Sequence, residues 1–219
     1  MIVLISGHDK YSFAWNALHY SFEKYWPDCP WPIKFITNKL VAPFGETIKV
    51  GDDHGLWGTA MSEALPGIKD NFLFLCEDYW LTAPVDTQSL KDFADHIDNK
   101  RAHYIKLNPS LDAHIDFHLD SRLATYIQDA QYRASLQISF WNRYTFGSLL
   151  SPLENIWDFE TQASLRSRSM WNFLAVREFK YIHYLHPDDP DFNWKTGAVE
   201  QGHFTSAAHR WAESEGITL

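Results

Sequence analysis

Residues 71–81 read Asn-Phe-Leu-Phe-Leu-Cys-Glu-Asp-Tyr-Trp-Leu, an apolar and aromatic run broken by two adjacent carboxylates. A continuous apolar run bounded by polar residues suits a strand covered on both faces of a sheet. Strands of that kind belong to layered α/β proteins. Glu77 and Asp78 then fall where the strand leaves the core. Ligands of open α/β sheets bind at the carboxyl ends of strands. Two carboxylates placed there can hold a divalent cation and, with it, the phosphates of a nucleotide.

The flanking sequence supplies companions for that strand. Residues 2–6 (Ile-Val-Leu-Ile-Ser) predict a first strand, followed by the polar loop Gly7-His8-Asp9-Lys10. Ser12 is placed to cap a helix carrying Phe13, Leu18, Phe22 and Tyr25, ended by Pro27 and Pro30. A second strand over 32–38 completes a βαβ unit, whose crossover is normally right-handed. Further along, the pattern predicts a short strand at 47–50 and helices at 56–65 and 88–97. It places strands at 103–107 and 134–141, helices at 143–150 and 152–166, a late strand at 179–185 and a last helix at 205–215. Residues 110–132, rich in His and Asp, fit a loop, a hairpin or a flap. No repeat, linker or low-complexity segment divides the chain, so one α/β domain is expected over its 219 residues.

Composition narrows the partners. The formal net charge of −9, with no block of like charge, argues against a nucleic-acid polymer, which needs a basic surface. It leaves room for one nucleotide in a locally positive pocket. With 45% hydrophobic and 16% aromatic residues the chain is a folded globule. Most of its ten tryptophans are expected in the core, although Trp57, Trp80 and Trp157 are candidates for stacking on sugar rings. The two cysteines, Cys29 and Cys76, do not suggest a disulfide, because Cys76 lies inside the buried run. No apolar stretch reaches the length of a membrane span, and a cytoplasmic address is expected. There is no Gly-x-x-x-x-Gly-Lys loop, no Gly-x-Gly-x-x-Gly turn and no Gly-x-Ser-x-Gly elbow, which disfavours P-loop enzymes, dehydrogenases and α/β-hydrolases.

Several segments, taken in order, resemble bacterial glycosyltransferases of the GT-A type, of the kind found in polysaccharide and cell-surface glycan synthesis. They are His8-Asp9-Lys10-Tyr11 with Trp15, residues 25–30 before the second strand, and Glu77-Asp78-Tyr79. Residues 135–138 before Trp141, residues 155–160, and the late segment 197–203 complete the series. The resemblance implies a GT-A-like, Rossmann-like mixed sheet, mostly parallel and flanked by helices. Its nucleotide-binding half would be 1–110 and its acceptor side 111–219. It also implies a nucleotide-sugar donor, a glycan or lipid-linked acceptor met at the membrane surface, and a divalent cation, Mn²⁺ or Mg²⁺.

On that resemblance Asp9 and Lys10 contact the nucleotide, and Glu77 and Asp78 organise metal and diphosphate. The acidic pair departs from the family pattern of two Asp residues around one intervening position. Alternate strand positions face the same way, and here that spacing joins Cys76 to Asp78 or Glu77 to Tyr79. The two carboxylates converge only if the chain turns between them. Asp78 is the better ligand, with Glu77 on the ribose or behind the ligands, and metal dependence is left open. Glu160 or Asp158 would be the base that takes the acceptor hydroxyl proton, although acidic residues in a first helical turn also favour the helix dipole. Arg143, Arg166 and Arg168 suit diphosphate geometry. His114, Asp116 and His118 have ligand spacing, and a late histidine (His183, His186 or His203) would be a further metal ligand. A non-catalytic carbohydrate-binding protein on this fold and a nucleotidyltransferase are the rival readings.

Overall fold

The computed structural model describes residues 1–52, 55–185 and 197–219. The strands are β1 (Ile2–Ser6), β2 (Ile33–Thr37), β3 (Glu46–Lys49), β4 (Phe72–Cys76), β5 (Tyr104–Lys106), β6 (Ala113–Asp116), β7 (Leu123–Tyr126), β8 (Ser139–Trp141), β9 (Phe173–Val176), β10 (Val199–Glu200) and β11 (His203–Phe204). The helices are α1 (Trp15–Tyr25), α2 (Trp57–Ala64), α3 (Thr87–Asp98), α4 (Arg143–Leu149), α5 (Ile156–Arg166) and α6 (Ser206–Glu215).

Nine strands form one sheet in the order β3-β2-β1-β4-β8-β5-β9-β7-β6, and β10 and β11 form a separate hairpin. β1 is parallel to both β2 and β4, and β2 is parallel to β3. β8 is antiparallel to β4 and β5, and β7 is antiparallel to β9 and β6. Because β5 and β9 are parallel, all strands of this sheet except β7 and β8 point the same way. This is the mixed, mostly parallel α/β sheet expected from the sequence.

Side-chain alternation assigns each strand to two cores. Val3, Ile5, Leu73 and Leu75 join a core capped by α1, α3 and α6. Ile2, Leu4, Phe72 and Phe74 join a second core capped by α2, α4 and α5. Every residue of β1 and β4 is buried, as a two-faced strand requires. The second core is dense in aromatic rings: Phe146 lies 5.2 Å from Phe72, 5.2 Å from Trp141 and 5.4 Å from Phe159.

Three local expectations are corrected, and one left open is resolved as a hairpin. The 71–81 run is strand only to Cys76, after which Tyr79 N–H bonds the Cys76 carbonyl at 3.1 Å and the chain turns. Ser12 caps nothing: a 3-10 turn over Asp9–Ala14 precedes α1, and His8 caps it. Residues 110–132 contain the β6–β7 hairpin at the sheet edge. The late strand is β9 rather than 179–185, because the fully buried Phe173–Val176 fills the slot between β5 and β7. Residues 179–185 instead lay Tyr181, Ile182, Tyr184 and Leu185 into the first core and make one bridge, Tyr184 to Leu81.

Gly58, in the first turn of α2, lies against the backbone carbonyls of Ser151 and Glu154, and its N–H donates to Glu154 at 2.9 Å. A methyl there would collide with main chain rather than with a flexible side chain. Gly58→Ala is expected to lower unfolding free energy by about 1–3 kcal/mol through overpacking, measured by denaturant melts.

Candidate functional site

A cleft of about 860 Å³ opens at the carboxyl ends of β1, β2, β3 and β4. That volume lies within the range of small-molecule sites. The chain leaves β1 toward β2 on one side and β4 on the other, so the cleft sits at a topological switch point. One part is apolar, with Ile36, Val50, Leu56, Ala60 and Met61 beside Tyr11. Trp57 borders it, held by a hydrogen bond from its indole N–H to Ser6 Oγ at 3.0 Å and by an edge-on contact with Phe159 at 5.1 Å. The amino end of α2 opens here through Gly55, Leu56 and Trp57, and Leu56 supplies no side-chain cap. Its backbone N–H groups therefore favour negative charge.

The turn after β4 brings Glu77 and Asp78 into the cleft together. The Glu77 N–H continues the β1 pairing through Ser6 O at 3.2 Å. Burial raises the Asp78 carboxyl to about 6, opposed by a hydrogen bond from its own backbone. Burial, and then the Asp78 charge, push Glu77 well above the usual carboxylate range, against backbone hydrogen bonds from Glu77 itself and His8. Burial also raises the Cys76 thiol, with both carboxylates adding to it, so Cys76 is a neutral thiol beside the pair. Three acidic groups whose ionisation burial disfavours are thus crowded at this end of β4. Among the described residues no three His, Cys, Asp or Glu side chains cluster as metal ligands.

Another wall is the β10–β11 hairpin, which contributes Val199, Glu200 and Gln201. Ala198 N–H donates to the Asp78 carbonyl at 3.1 Å. A Cβ on Gly197 would stand 2.7 Å from Asp78 Oδ2, so glycine lets this wall close on the carboxylate. Gln201 and Gly202 make the turn with φ of 51° and 86°.

Lys10 lines the cleft, with its ammonium 5.5 Å from the Tyr11 ring and no ion pair among the described residues. Asp9 does not line it. Its carboxylate accepts the N–H groups of Asn38 (3.0 Å), Lys39 (2.8 Å) and Leu40 (3.0 Å), and its own N–H donates to Asn38 Oδ1 at 3.1 Å. The expected nucleotide contact is thus a strut that fixes Asn38, itself a cleft residue. Arg143 is corrected too. It lies by the start of β4, with its guanidinium on the Ile68 and Leu65 carbonyls. Five strand residues, roughly 17 Å, separate that end from Glu77.

Arg166 is paired with Glu154 at 2.7 Å and Arg168 with Asp129 at 3.0 Å, so both are committed elsewhere. Glu160 is outside the cleft lining, and its Oε1 accepts Ser135 Oγ (2.8 Å) and Leu136 N–H (2.7 Å). Asp158 is exposed in the first turn of α5, where Asn155 caps its N–H at 2.9 Å. Its neighbour Trp157, 73% exposed, reaches the cleft rim. Trp80 is wholly buried against Trp211. Asp116 pairs with Arg177 at 2.5 Å, while His114 and His118 form no metal cluster with it. Of the late histidines, His183 packs on Phe179 and His203 lies in β11, and His186 falls outside the described residues. Asn38, Met61 and Glu200 are cleft residues that sequence reasoning missed. The glycines bracketing Glu200, Gly197 and Gly202, were the available signal for a closely packed hairpin.

No protein-family model matches this chain, and no curated protein matches it by sequence. Solved structures do. S. aureus TarS residues 1–349 align with a TM-score of 0.53 at 14% identity, over 86% of this chain and 62% of that one. TarS is a GT-A-type glycosyltransferase. The fold is GT-A-like. TarS 1–349 in complex with UDP gives 0.53 at 12% identity, over 84% of this chain and 60% of TarS. The complex with UDP-GlcNAc gives 0.52 at 14%, over 84% and 58%. This chain therefore spans less than two thirds of those neighbours. At such identities the likeness establishes architecture alone.

The raised Asp78 value carries a sign. The folded protein holds that proton more tightly than an unfolded chain, so stability falls as pH rises from the ordinary carboxylate range to about 6, and the full cost is present above that. In metal-free buffer Asp78→Asn should melt higher than the parent at about pH 7.5, with the gain shrinking to nothing by about pH 4. Melting curves across that range test it.

Proposed function

We propose that this protein is a glycosyltransferase that binds a nucleotide-sugar donor in the β1–β4 cleft and passes the sugar to a glycan or lipid-linked acceptor. One observation carries the reading: on a GT-A-like fold, a turn directs two adjacent carboxylates into the cleft at the switch point. The apolar end, with Tyr11, suits a nucleobase, which stacks on aromatic faces. Lys10 and the start of α2, which has no side-chain cap, suit the diphosphate. That TarS has been solved with UDP and with UDP-GlcNAc makes uridine conjugates the first donors to try.

The donor set fits a hard divalent cation: two carboxyl groups in the cleft with no ion pair among the described residues. Asp78 and Glu77 would hold Mn²⁺ or Mg²⁺, and the bound ion would neutralise charge on the diphosphate leaving group. Lys10 and the α2 amino end would help to orient the phosphates. Trp157 would offer its exposed indole to a sugar face at the rim. No helix among the described residues is long and apolar enough to cross a membrane. A lipid-linked acceptor would accordingly be met at the membrane surface.

A thermal-shift panel of UDP, GDP, CDP and dTDP, and of their common sugar conjugates, with and without Mn²⁺ or Mg²⁺, tests this. A true donor at about a hundred times its Kd should raise Tm by about 5 °C or more. The cation-dependent part should vanish in Asp78→Ala. A shift that ignores the cation keeps the donor and removes the metal role. Absence of any shift in a folded sample, together with binding of free glycans, would identify a non-catalytic carbohydrate-binding protein instead.

In the same assay Gly197→Ala should weaken cation-dependent binding about tenfold or more, because the added methyl displaces the Asp78 carboxylate. Wild-type affinity in that variant would refute the role assigned to the hairpin wall.

A further inference from the structure

The cleft contains a third carboxylate, Glu200, on the β10–β11 hairpin. It differs from the other acidic side chains near the site. Glu77 and Asp78 lie at the end of β4 with raised pKa values, and Glu200 forms no three-membered metal cluster with them. Glu160 spends its carboxylate on Ser135 and Leu136, and Asp158 lies outside the cleft lining. Glu200 is exposed, lines the cleft, and has no hydrogen bond or ion pair among the described residues.

The hairpin fixes the backbone that carries this carboxylate. Ala198 N–H donates to the Asp78 carbonyl at 3.1 Å, Thr205 N–H donates to the Ala198 carbonyl at 3.0 Å, and Thr205 Oγ1 donates to the Gly197 carbonyl at 2.8 Å. Glu200 pairs in register with His203 across the hairpin. Its backbone is thereby tied to the Asp78 turn, and its side chain lines the same cleft. A donor whose diphosphate lies by Glu77 and Asp78 would have its sugar in the space that Glu200 also lines.

We infer that Glu200 is the general base of the transfer, a role that rests on the glycosyltransferase reading above. In the reaction, the Glu200 carboxylate accepts the proton of an acceptor hydroxyl. That oxygen forms a bond to the anomeric carbon, and the anomeric carbon–phosphate oxygen bond breaks. The nucleoside diphosphate leaves with the bonding pair, the anomeric centre is inverted, and Glu200 later returns its proton to solvent. The titratable groups that line the same cleft include His8, Lys10 and Tyr11 after β1 and Glu77 and Asp78 after β4, and His203 is the register partner of Glu200 on β11.

The experiment follows UDP release from UDP-N-acetylglucosamine and the other donors of the panel, with water and with p-nitrophenyl glycosides as acceptors. It is run on wild type, Glu200→Gln, Glu200→Asp and Glu160→Gln, with donor Kd measured in parallel. The expected result for Glu200→Gln is a kcat reduced about 10²–10⁴-fold, with donor Kd within about twofold and the acidic limb of the kcat pH profile lost. Glu200→Asp should recover part of the rate. A Glu200→Gln enzyme that keeps its kcat, or a Glu160→Gln enzyme that binds donor and alone loses turnover, would overturn the assignment while leaving the transferase intact. A folded wild type that neither binds nor cleaves any donor would overturn the transferase reading and the base with it.

Discussion

The parallel pairing of β1 with β4 is the constraint on which the site depends. Both strands are buried throughout, and they pair in register from Ile2 with Phe72 to Ser6 with Cys76. Their ends therefore coincide, and the two loops that follow emerge side by side. The first carries His8, Lys10 and Tyr11, the second Glu77 and Asp78. Apolar cores on both faces make a slip of register costly, because a shift by one residue would send every side chain to the opposite core. Core packing here fixes the positions of charged groups that take no part in it.

Charge is the second organising feature. Away from the cleft, acidic groups are matched: Asp120 with Arg122 at 2.7 Å, Glu154 with Arg166, and Glu215 with Lys24, Tyr20 and Tyr25. Those pairings secure the loop before β7, the α5 entry and the α1–α6 contact. At the end of β4 the pattern reverses, and two adjacent carboxylates are crowded into the cleft wall. Among the described residues no cation pairs with these two carboxyl groups, and burial raises the pKa of both.

Much of the fold was legible because burial on two faces leaves a plain trace. The apolar runs at 2–6 and 72–76 gave β1 and β4, and Gly216, with φ of 69°, ends α6 as its position suggested. Legibility failed where short segments owe their form to distant contacts. β9 is four residues long and was hidden by the more conspicuous apolar stretch at 179–185, which packs into the core with a single bridge. Within the site, Glu77 and Asp78 could be picked out because carboxylates that break an apolar run are conspicuous. Asp9 and Arg143 misled because a charged side chain serves a backbone turn as readily as a ligand, and sequence alone does not say where its partners fold. Glu200 was overlooked because a lone glutamate in a short hairpin has no local pattern.

The contact between Gly197 and Asp78 joins segments far apart along the chain. The β1–β4 sheet places the acidic pair, and the wall beside it is held by a few hydrogen bonds of the hairpin. The cleft is therefore complete only while the hairpin is docked. Local opening of the hairpin would dismantle the site while the sheet stays intact, so binding competence and global stability are separable properties of this molecule.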